Sequence, residues 1–221
     1  MTFTDEAKAA TATLQETILT MPFNADLASG ALRPEVFRGY IVQDAHYLEG
    51  FARGLAMAAA RASDPPAIAQ LSGSANGAIL VERGLHGHYM ELYGVTPEMY
   101  EATPPSRACD HYVNFLLRTA AIDPFPVAVA ALLPCFSIYY DVGHAIQDTA
   151  VKDHPYRAWI DTYAGEEFGE AVRAMLALTD RLAAAGDAPL RRAMQAAYAA
   201  SVWHEWMFWH SAYHEEAWPA P

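Results

Sequence analysis

The chain has 221 residues, a length that fits one domain or at most two small ones. Its 14 basic and 26 acidic residues give a net charge of −12, and 53% of the residues are apolar while 12% are aromatic. This composition excludes a disordered chain, and the negative charge argues against binding of nucleic-acid phosphates, so we expect no nucleic-acid partner.

The first half of the chain predicts long helices. Residues 5–21 form the first one, and Pro34 stands where a proline opens the second, which continues to about residue 62. Asp64 is placed to cap a third helix that ends before Gly94. The second helix has apolar or aromatic residues at steps of three and four, which is the helical period: Phe37, Tyr40, Ile41, Tyr47, Leu48 and Phe51.

The second half continues the same pattern, with helices predicted over 106–121, 125–150, 155–163, 166–185 and 188–216. No stretch alternates apolar and polar residues for long, and alanine, the best helix former, is abundant. We therefore expect an all-α fold, a bundle of about eight helices in which residues 1–221 form a single domain.

One uncharged run, from Pro124 to Tyr140, raises the question of a membrane span. It is shorter than the roughly 20 residues that a spanning helix needs, and it contains three prolines, so we expect a buried central helix and no membrane partner. The N-terminus has no basic region followed by an apolar stretch, and two cysteines make no disulfide framework. These features predict a cytoplasmic protein.

Cys135 is the first of three polar residues that interrupt apolar helices. It follows Pro134, which removes a helical hydrogen bond, and it shares a helix face with Tyr139. Cys135 is a candidate nucleophile in a pocket; the alternative is a small buried apolar residue, as most buried cysteines are. Cys109 lies on a helix that the sequence predicts to be partly exposed, and it is the weaker candidate.

Glu205 and Asp44 are the other two polar residues in apolar surroundings. Glu205 lies within the run Trp203–Trp209, and loss of solvation among aromatic rings raises the pKa of a carboxyl group, which suits it to proton transfer near neutrality. Asp44 shares a face with aromatic residues and could accept hydrogen bonds from an amine or amidine-like ligand. An ion pair, a helix cap or contact with solvent explains either residue equally well.

Two pairs of residues with helical spacing are the candidates for a metal site. Glu82 and His86 are four residues apart, as are His210 and His214, but neither pair matches the Glu-x-x-His motif of helical di-iron proteins. The sequence has no Cys-x-x-Cys, no P-loop and no Gly-x-Gly-x-x-Gly. We therefore expect no metal and no organic cofactor.

Several short segments, in order and at fitting separations, resemble the TenA family, also called thiaminase II or aminopyrimidine aminohydrolase. The resemblance covers nearly the whole chain and, because it includes the cysteine, points to the Cys-bearing branch. The matching segments are the helix with Asp44 and Tyr47, the tripeptide ending in Tyr112, Leu133-Pro134-Cys135 with Tyr139, Trp159–Tyr163, and Glu205–Trp209.

The resemblance implies a haem-oxygenase-like helical fold, a homotetramer, and hydrolysis of 4-amino-5-aminomethyl-2-methylpyrimidine or thiamine to the hydroxymethylpyrimidine used in thiamine salvage. It implies Cys135 as the nucleophile and Glu205 as the acid/base. Asp44 would bind the 4-amino group and a ring nitrogen, and Tyr112 another ring nitrogen. Tyr47, Tyr163 and Phe208 would form aromatic walls of the substrate site. Tyr139 would orient the thiol or Glu205.

Two alternatives stay open at the level of the sequence. The same pocket could bind a pyrimidine or thiamine without cleaving it, in a sensor or regulator. The helical fold also hosts metal-dependent oxidases, for which the histidine spacings are the only support. The sequence does not distinguish the aminomethylpyrimidine from intact thiamine, because these compounds differ only beyond the methylene group.

Overall fold

The architecture is entirely helical in a computed structural model that describes residues 1–151 and 153–219, with the side chains of Glu82 and Arg83 left out. The expected all-α fold is confirmed, and no described residue belongs to a strand. The α-helices are α1 Phe3–Ala10, α2 Ala12–Thr20, α3 Pro22–Ser29, α4 Pro34–Arg61, α5 Pro65–Val81, α6 Gly87–Leu92, α7 Pro97–Ala102, α8 Arg107–Ile122, α9 Phe125–Gln147, α10 Arg157–Tyr163, α11 Glu166–Ala185 and α12 Ala188–Tyr213, and a π-helical segment, Glu82–His86, joins α5 to α6.

The long helices match the predicted ranges within a few residues, but the bundle is divided more finely than the sequence indicates. The predicted helix over 5–21 is interrupted at Thr11, and the one after Asp64 contains the π-helical segment. Helices α3 and α7 were missed because each has two turns or fewer, too short for a periodic pattern. The predicted cap at Asp64 is present, since its carboxylate accepts from the backbone N–H of Ala67.

Helix α9 is the centre of the bundle and packs against α12, α11, α10 and α4. It is long and apolar enough to cross a membrane, yet 72% of its most apolar stretch is buried inside the protein. Surrounding helices therefore cover it, as expected for the core helix of a soluble bundle. A continuous apolar core extends from Phe3 in α1 to Trp209 in α12.

Two close contacts hold neighbouring helices against α9. The hydroxyl of Ser201 in α12 donates to the carbonyl of Ala131 at 2.5 Å, one turn before Cys135. At Gly143 a Cβ atom would lie 2.8 Å from the backbone of Tyr163, so the absence of a side chain lets α10 approach α9. These contacts bring the helices that carry Glu205 and Tyr163 to the helix that carries Cys135.

Candidate active site

A cavity of about 770 Å³ opens between α4, α5, α9 and the segment from Asp161 to Ala174. Helix α5 borders it with small side chains at helical spacing, including Gly73, Ser74, Gly77 and Ala78, which leave room for a ligand. Ligand sites in proteins occupy roughly 300–1,000 Å³. Five of the eight residues predicted from the sequence line this cavity: Asp44, Tyr47, Cys135, Tyr139 and Tyr163.

Asp44 is 1% exposed and accepts hydrogen bonds at both carboxylate oxygens. The Nε2 atom of His86 lies 2.9 Å from Oδ2, and the hydroxyl of Tyr139 donates to Oδ1 at 3.4 Å. The network continues through Tyr40, whose hydroxyl lies 3.3 Å from that of Tyr139 and accepts from the indole N–H of Trp159 at 3.2 Å. This chain of five side chains is termed the Asp44 network below.

Cys135 lies on α9 directly after the helix-interior Pro134, and its side chain is buried while bordering the cavity. Burial raises the pKa of the thiol well above its usual value, and the nearby charges of Glu205 and Asp44 raise it further. The hydroxyl of Tyr47 opposes this rise through an interaction with the sulfur. The thiol is therefore protonated at neutral pH in the free protein.

Glu205 is 1% exposed on α12, and the hydroxyl of Tyr112 donates to its Oε1 atom at 2.8 Å. Desolvation raises the pKa of Glu205 from 4.5 to about 8, opposed by the hydrogen bond from Tyr112 and raised further by Asp44. A carboxyl group with this pKa is mostly protonated at pH 7 and can both give and take a proton near neutrality. Cys135, Tyr47, Tyr112 and Glu205 are termed the reactive centre below.

Tyr112, Glu205 and Phe208 do not border the cavity but lie one layer behind its wall. The rings of Tyr112 and Phe208 pack against Tyr47 with centroids 4.8 and 5.5 Å apart. Interactions with the hydroxyl of Tyr47 lower the pKa of both the Cys135 thiol and the Tyr112 phenol. The Tyr47 hydroxyl is buried without a hydrogen-bond partner among the described residues, and it lies near both the thiol and Tyr112, which bonds Glu205.

Tyr139 and Tyr163 occupy the opposite side of the cavity. Their rings lie 4.8 Å apart, and Tyr163 also packs on Trp159 at 4.7 Å. The hydroxyl of Tyr139 bonds Asp44, whereas the sequence suggested that it would orient the thiol or Glu205. Tyr163 borders the cavity.

The sequence missed part of the Asp44 network and one neighbour of the reactive centre. Tyr40 lies one turn before Asp44, so its helical spacing already placed it on the same face. His86 gave no comparable signal, because it is 42 residues from Asp44 in the sequence. Its spacing from Glu82 pointed only to a metal site. Trp209, four residues after Glu205, interacts with that carboxyl group and lowers its pKa.

The other histidines of interest form ring contacts. His204 stacks on Tyr112 with centroids 5.0 Å apart, and burial lowers its pKa from 6.5 to about 4. His210 lies against Trp206 and His214 at 4.7 and 4.3 Å. Within residues 1–151 and 153–219, no three His, Cys, Asp or Glu side chains are grouped so that they could hold a metal ion.

The comparison with known families decides the classification. The TENA/THI-4/PQQC family model matches residues 10–215. The chain belongs to this family. Among solved structures, a TenA homologue from P. horikoshii OT3 superposes with a TM-score of 0.88 at 25% identity, covering 98% of this chain and 100% of that one.

Curated relatives match over comparable lengths. The aminopyrimidine aminohydrolase of Bacillus subtilis is 31% identical over 218 residues, which are 99% of this chain and 92% of the relative. The thiamine biosynthesis multifunctional protein ThiED of Corynebacterium efficiens is 37% identical over 196 residues, 88% of this chain but only 26% of that longer protein. A TenA family transcription regulator from Silicibacter sp. TM1040 shares the fold with a TM-score of 0.90 at 24% identity, covering 96% of each chain.

Proposed function

We propose that this protein hydrolyses 4-amino-5-aminomethyl-2-methylpyrimidine to 4-amino-5-hydroxymethyl-2-methylpyrimidine in thiamine salvage. The observation that carries the proposal is that the Cys135 thiol borders a ligand-sized cavity together with Asp44. Asp44 and Glu205 both lie close enough to the thiol to raise its pKa. The similarity to a relative named aminopyrimidine aminohydrolase supports the same reaction.

The cavity suits a flat, polarised ring. Tyr47 and Tyr163 provide aromatic walls, and Phe208 supports Tyr47 from behind. The Asp44 carboxylate accepts a hydrogen bond from the 4-amino group, and the Tyr112 hydroxyl holds Glu205 from behind the cavity wall. The carboxylate of Glu170 at the rim favours the approach of an amine.

In the first step the Cys135 thiol adds across a C=N bond of the ring. Sulfur bonds the unsubstituted ring carbon next to the one that bears the aminomethyl group. The thiol proton goes to the ring nitrogen attached to that unsubstituted carbon. The bond between the methylene carbon and the amine then breaks, as the 4-amino lone pair moves into the ring and an exocyclic C=C forms. The uncharged amino group leaves as ammonia, taking the bonding electron pair and a proton from Glu205.

In the second step water replaces the amine. Its oxygen bonds the exocyclic methylene, its proton returns to Glu205, and the electron pair of the C=C bond restores the 4-amino group. The carbon–sulfur bond then breaks, and the proton on the ring nitrogen returns to sulfur. A covalent intermediate divides one difficult displacement into two easier ones, and Asp44 stabilises the positive charge that develops on the 4-amino group between them.

The test is product formation from the aminomethylpyrimidine with wild type, Cys135→Ser and Cys109→Ser. Cys109 is the matched control, because it is also buried but its thiol lies against the carbonyl of Gln43 outside the cavity. We expect Cys135→Ser to lose at least about a thousandfold in kcat, as for removal of other nucleophiles, and Cys109→Ser to keep wild-type turnover. Full activity of a folded Cys135→Ser would refute the nucleophile.

The same assay with thiamine addresses the natural leaving group. Much faster turnover of the aminomethylpyrimidine would establish a salvage hydrolase, and preference for thiamine would establish a thiaminase. Tight binding of the hydroxymethylpyrimidine without turnover of either compound would favour the non-catalytic alternative.

We also propose a single domain over residues 1–221, a homotetramer and a cytoplasmic location. The tetramer is supported by the large apolar side chains left exposed, such as Trp203 at 54%. The location is supported by two free cysteines, which a reducing compartment preserves. Light scattering in solution should give four times the chain mass of 24.2 kDa, and a value equal to that of one chain would exclude the tetramer.

A further inference from the structure

His86 is the last residue of the π-helical segment Glu82–His86, and its ring is as buried as the carboxylate it contacts. Both side chains are 1% exposed, and Nε2 lies 2.9 Å from Oδ2 of Asp44. A π-helical turn holds an extra residue compared with an α-helical turn, so it changes the direction of the side chains that follow it. The local geometry thus aims an imidazole at a residue of the cavity.

The hydrogen-bond partners determine which nitrogen carries the proton. An ionised carboxylate only accepts, so Nε2 must donate to Asp44. The Nδ1 atom is buried and has no hydrogen-bond partner among the described residues. A proton on Nδ1 would leave a buried N–H unpaired, which costs free energy. The contact with Asp44 therefore places a proton on Nε2.

The hydrogen bond from His86 holds the Asp44 carboxylate in the position in which a ligand in the cavity would contact it. A buried carboxylate remains charged only when donors compensate for lost solvation. His86 occupies Oδ2 and Tyr139 occupies Oδ1, and Asp44 still borders the cavity. Each carboxylate oxygen has a second lone pair, so the residue can still accept from a ligand.

We propose that His86 is a positioning residue that holds the Asp44 carboxylate in the orientation that accepts the 4-amino group of the pyrimidine. The inference rests on the proposed function, because it concerns recognition of that ring. It assigns the selectivity for a 4-amino substituent to the His86–Asp44 pair rather than to Asp44 alone. The contact strengthens as positive charge develops on the amino group, so His86 contributes to turnover as well as to binding.

The experiment compares binding of two ligands by calorimetry: 4-amino-5-hydroxymethyl-2-methylpyrimidine and its analogue without the amino group. The proteins are wild type, His86→Ala, His86→Gln, His86→Asn and the control His154→Ala. His154 is a buried histidine that bonds the carbonyl of Ala28 and does not border the cavity. The ratio of the two dissociation constants measures selectivity for the amino group.

We expect His86→Ala to reduce this ratio by about 10- to 100-fold, the usual effect of a hydrogen bond to a charged group, and His154→Ala to leave it unchanged. The Gln side chain can place its amide N–H where Nε2 lies, so His86→Gln should keep selectivity within about threefold of wild type. The Asn amide reaches only as far as Nδ1, so His86→Asn should lose it. A purely structural role would weaken both ligands equally.

Equal selectivity in folded His86→Ala and wild type would overturn the inference while leaving the proposed function intact. If His86→Ala does not fold, the Gln and Asn variants decide, and equal selectivity in these two would overturn it. Wild type that neither binds nor converts the aminopyrimidine would refute the proposed function as well. Independently of any ligand, ¹⁵N spectra of labelled histidine should show His86 protonated on Nε2, and protonation on Nδ1 would exclude the pair.

Discussion

The Asp44 network and the reactive centre each contain a carboxyl group that is 1% exposed, yet the two groups have different surroundings. Asp44 receives hydrogen bonds on both oxygens, from His86 and Tyr139. Glu205 receives one from Tyr112 at Oε1, and burial raises its pKa to about 8. Equal depth of burial therefore goes with different hydrogen-bond surroundings, and these surroundings separate the roles of the two acids.

The thiol follows the same logic as Glu205. Burial raises the pKa of Cys135, and only the Tyr47 hydroxyl opposes the rise. The reactive centre therefore holds exchangeable protons, whereas the Asp44 network holds a carboxyl group whose two oxygens already face donors. The first arrangement suits proton transfer and bond formation, and the second suits recognition of a ligand that donates hydrogen bonds.

The largest effect separating the two regions is expected for Glu205→Gln. Glutamine keeps the shape and accepts the bond from Tyr112 but cannot exchange a proton, so kcat should fall about 10²- to 10⁴-fold. Binding of the hydroxymethylpyrimidine should stay within about threefold, because recognition belongs to Asp44. Steady-state kinetics and calorimetry measure these quantities.

Glu167→Gln at the cavity rim is the matched control and should keep kcat. A Glu205→Gln variant that lost binding but retained kcat would place Glu205 in recognition and would contradict the comparison.

The next effect is a dependence of stability on pH. The folded state raises the pKa of Glu205 from 4.5 to about 8 and so binds its proton more tightly than the unfolded state does. The free energy of unfolding therefore falls as pH rises through this window, by up to about 1.4 kcal/mol per unit. His204, whose pKa is lowered to about 4, acts in the opposite sense between about 4 and 6.5.

Above pH 6.5, of these two residues only Glu205 still changes the free energy of unfolding with pH. Relative to wild type, Glu205→Gln should gain about 2 kcal/mol in free energy of unfolding between pH 6.5 and 8.0. Urea unfolding at the two pH values measures the difference, and Glu167→Gln should show none. A constant difference between Glu205→Gln and wild type would mean that the folded protein does not raise this pKa.

The smallest effect compares two tyrosine hydroxyls. Tyr47→Phe removes the group that lowers the pKa of the Cys135 thiol, so kcat/KM and the rate of Cys135 alkylation should each fall about tenfold. Tyr139→Phe removes a donor of the Asp44 network instead. It should weaken pyrimidine binding and leave the alkylation rate unchanged. Equal alkylation rates in Tyr47→Phe and wild type would exclude the contact with the thiol.

Much of the fold could be predicted because helix signals are local. Pro34 and the apolar period that follows it predicted α4 almost to the residue, and Asp64 predicted the start of α5. The interruption at Thr11 escaped prediction because no proline or glycine marks it. The π-helical segment contains Gly84, but a single glycine in a helical pattern does not predict a π-helical turn. Small local departures from α-helical geometry depend on packing with distant residues.

The site divides in the same way. The sequence by itself determined that Cys135, Glu205 and Asp44 interrupt otherwise apolar helix faces, and the structure shows that all three are buried. Only the tertiary structure decided their partners: Tyr112 is 93 residues from Glu205, Tyr139 is 95 from Asp44, and His86 is 42 from Asp44. Burial follows from local periodicity, whereas the hydrogen bonds that set the charge of a buried group come from helices that meet only in the folded bundle.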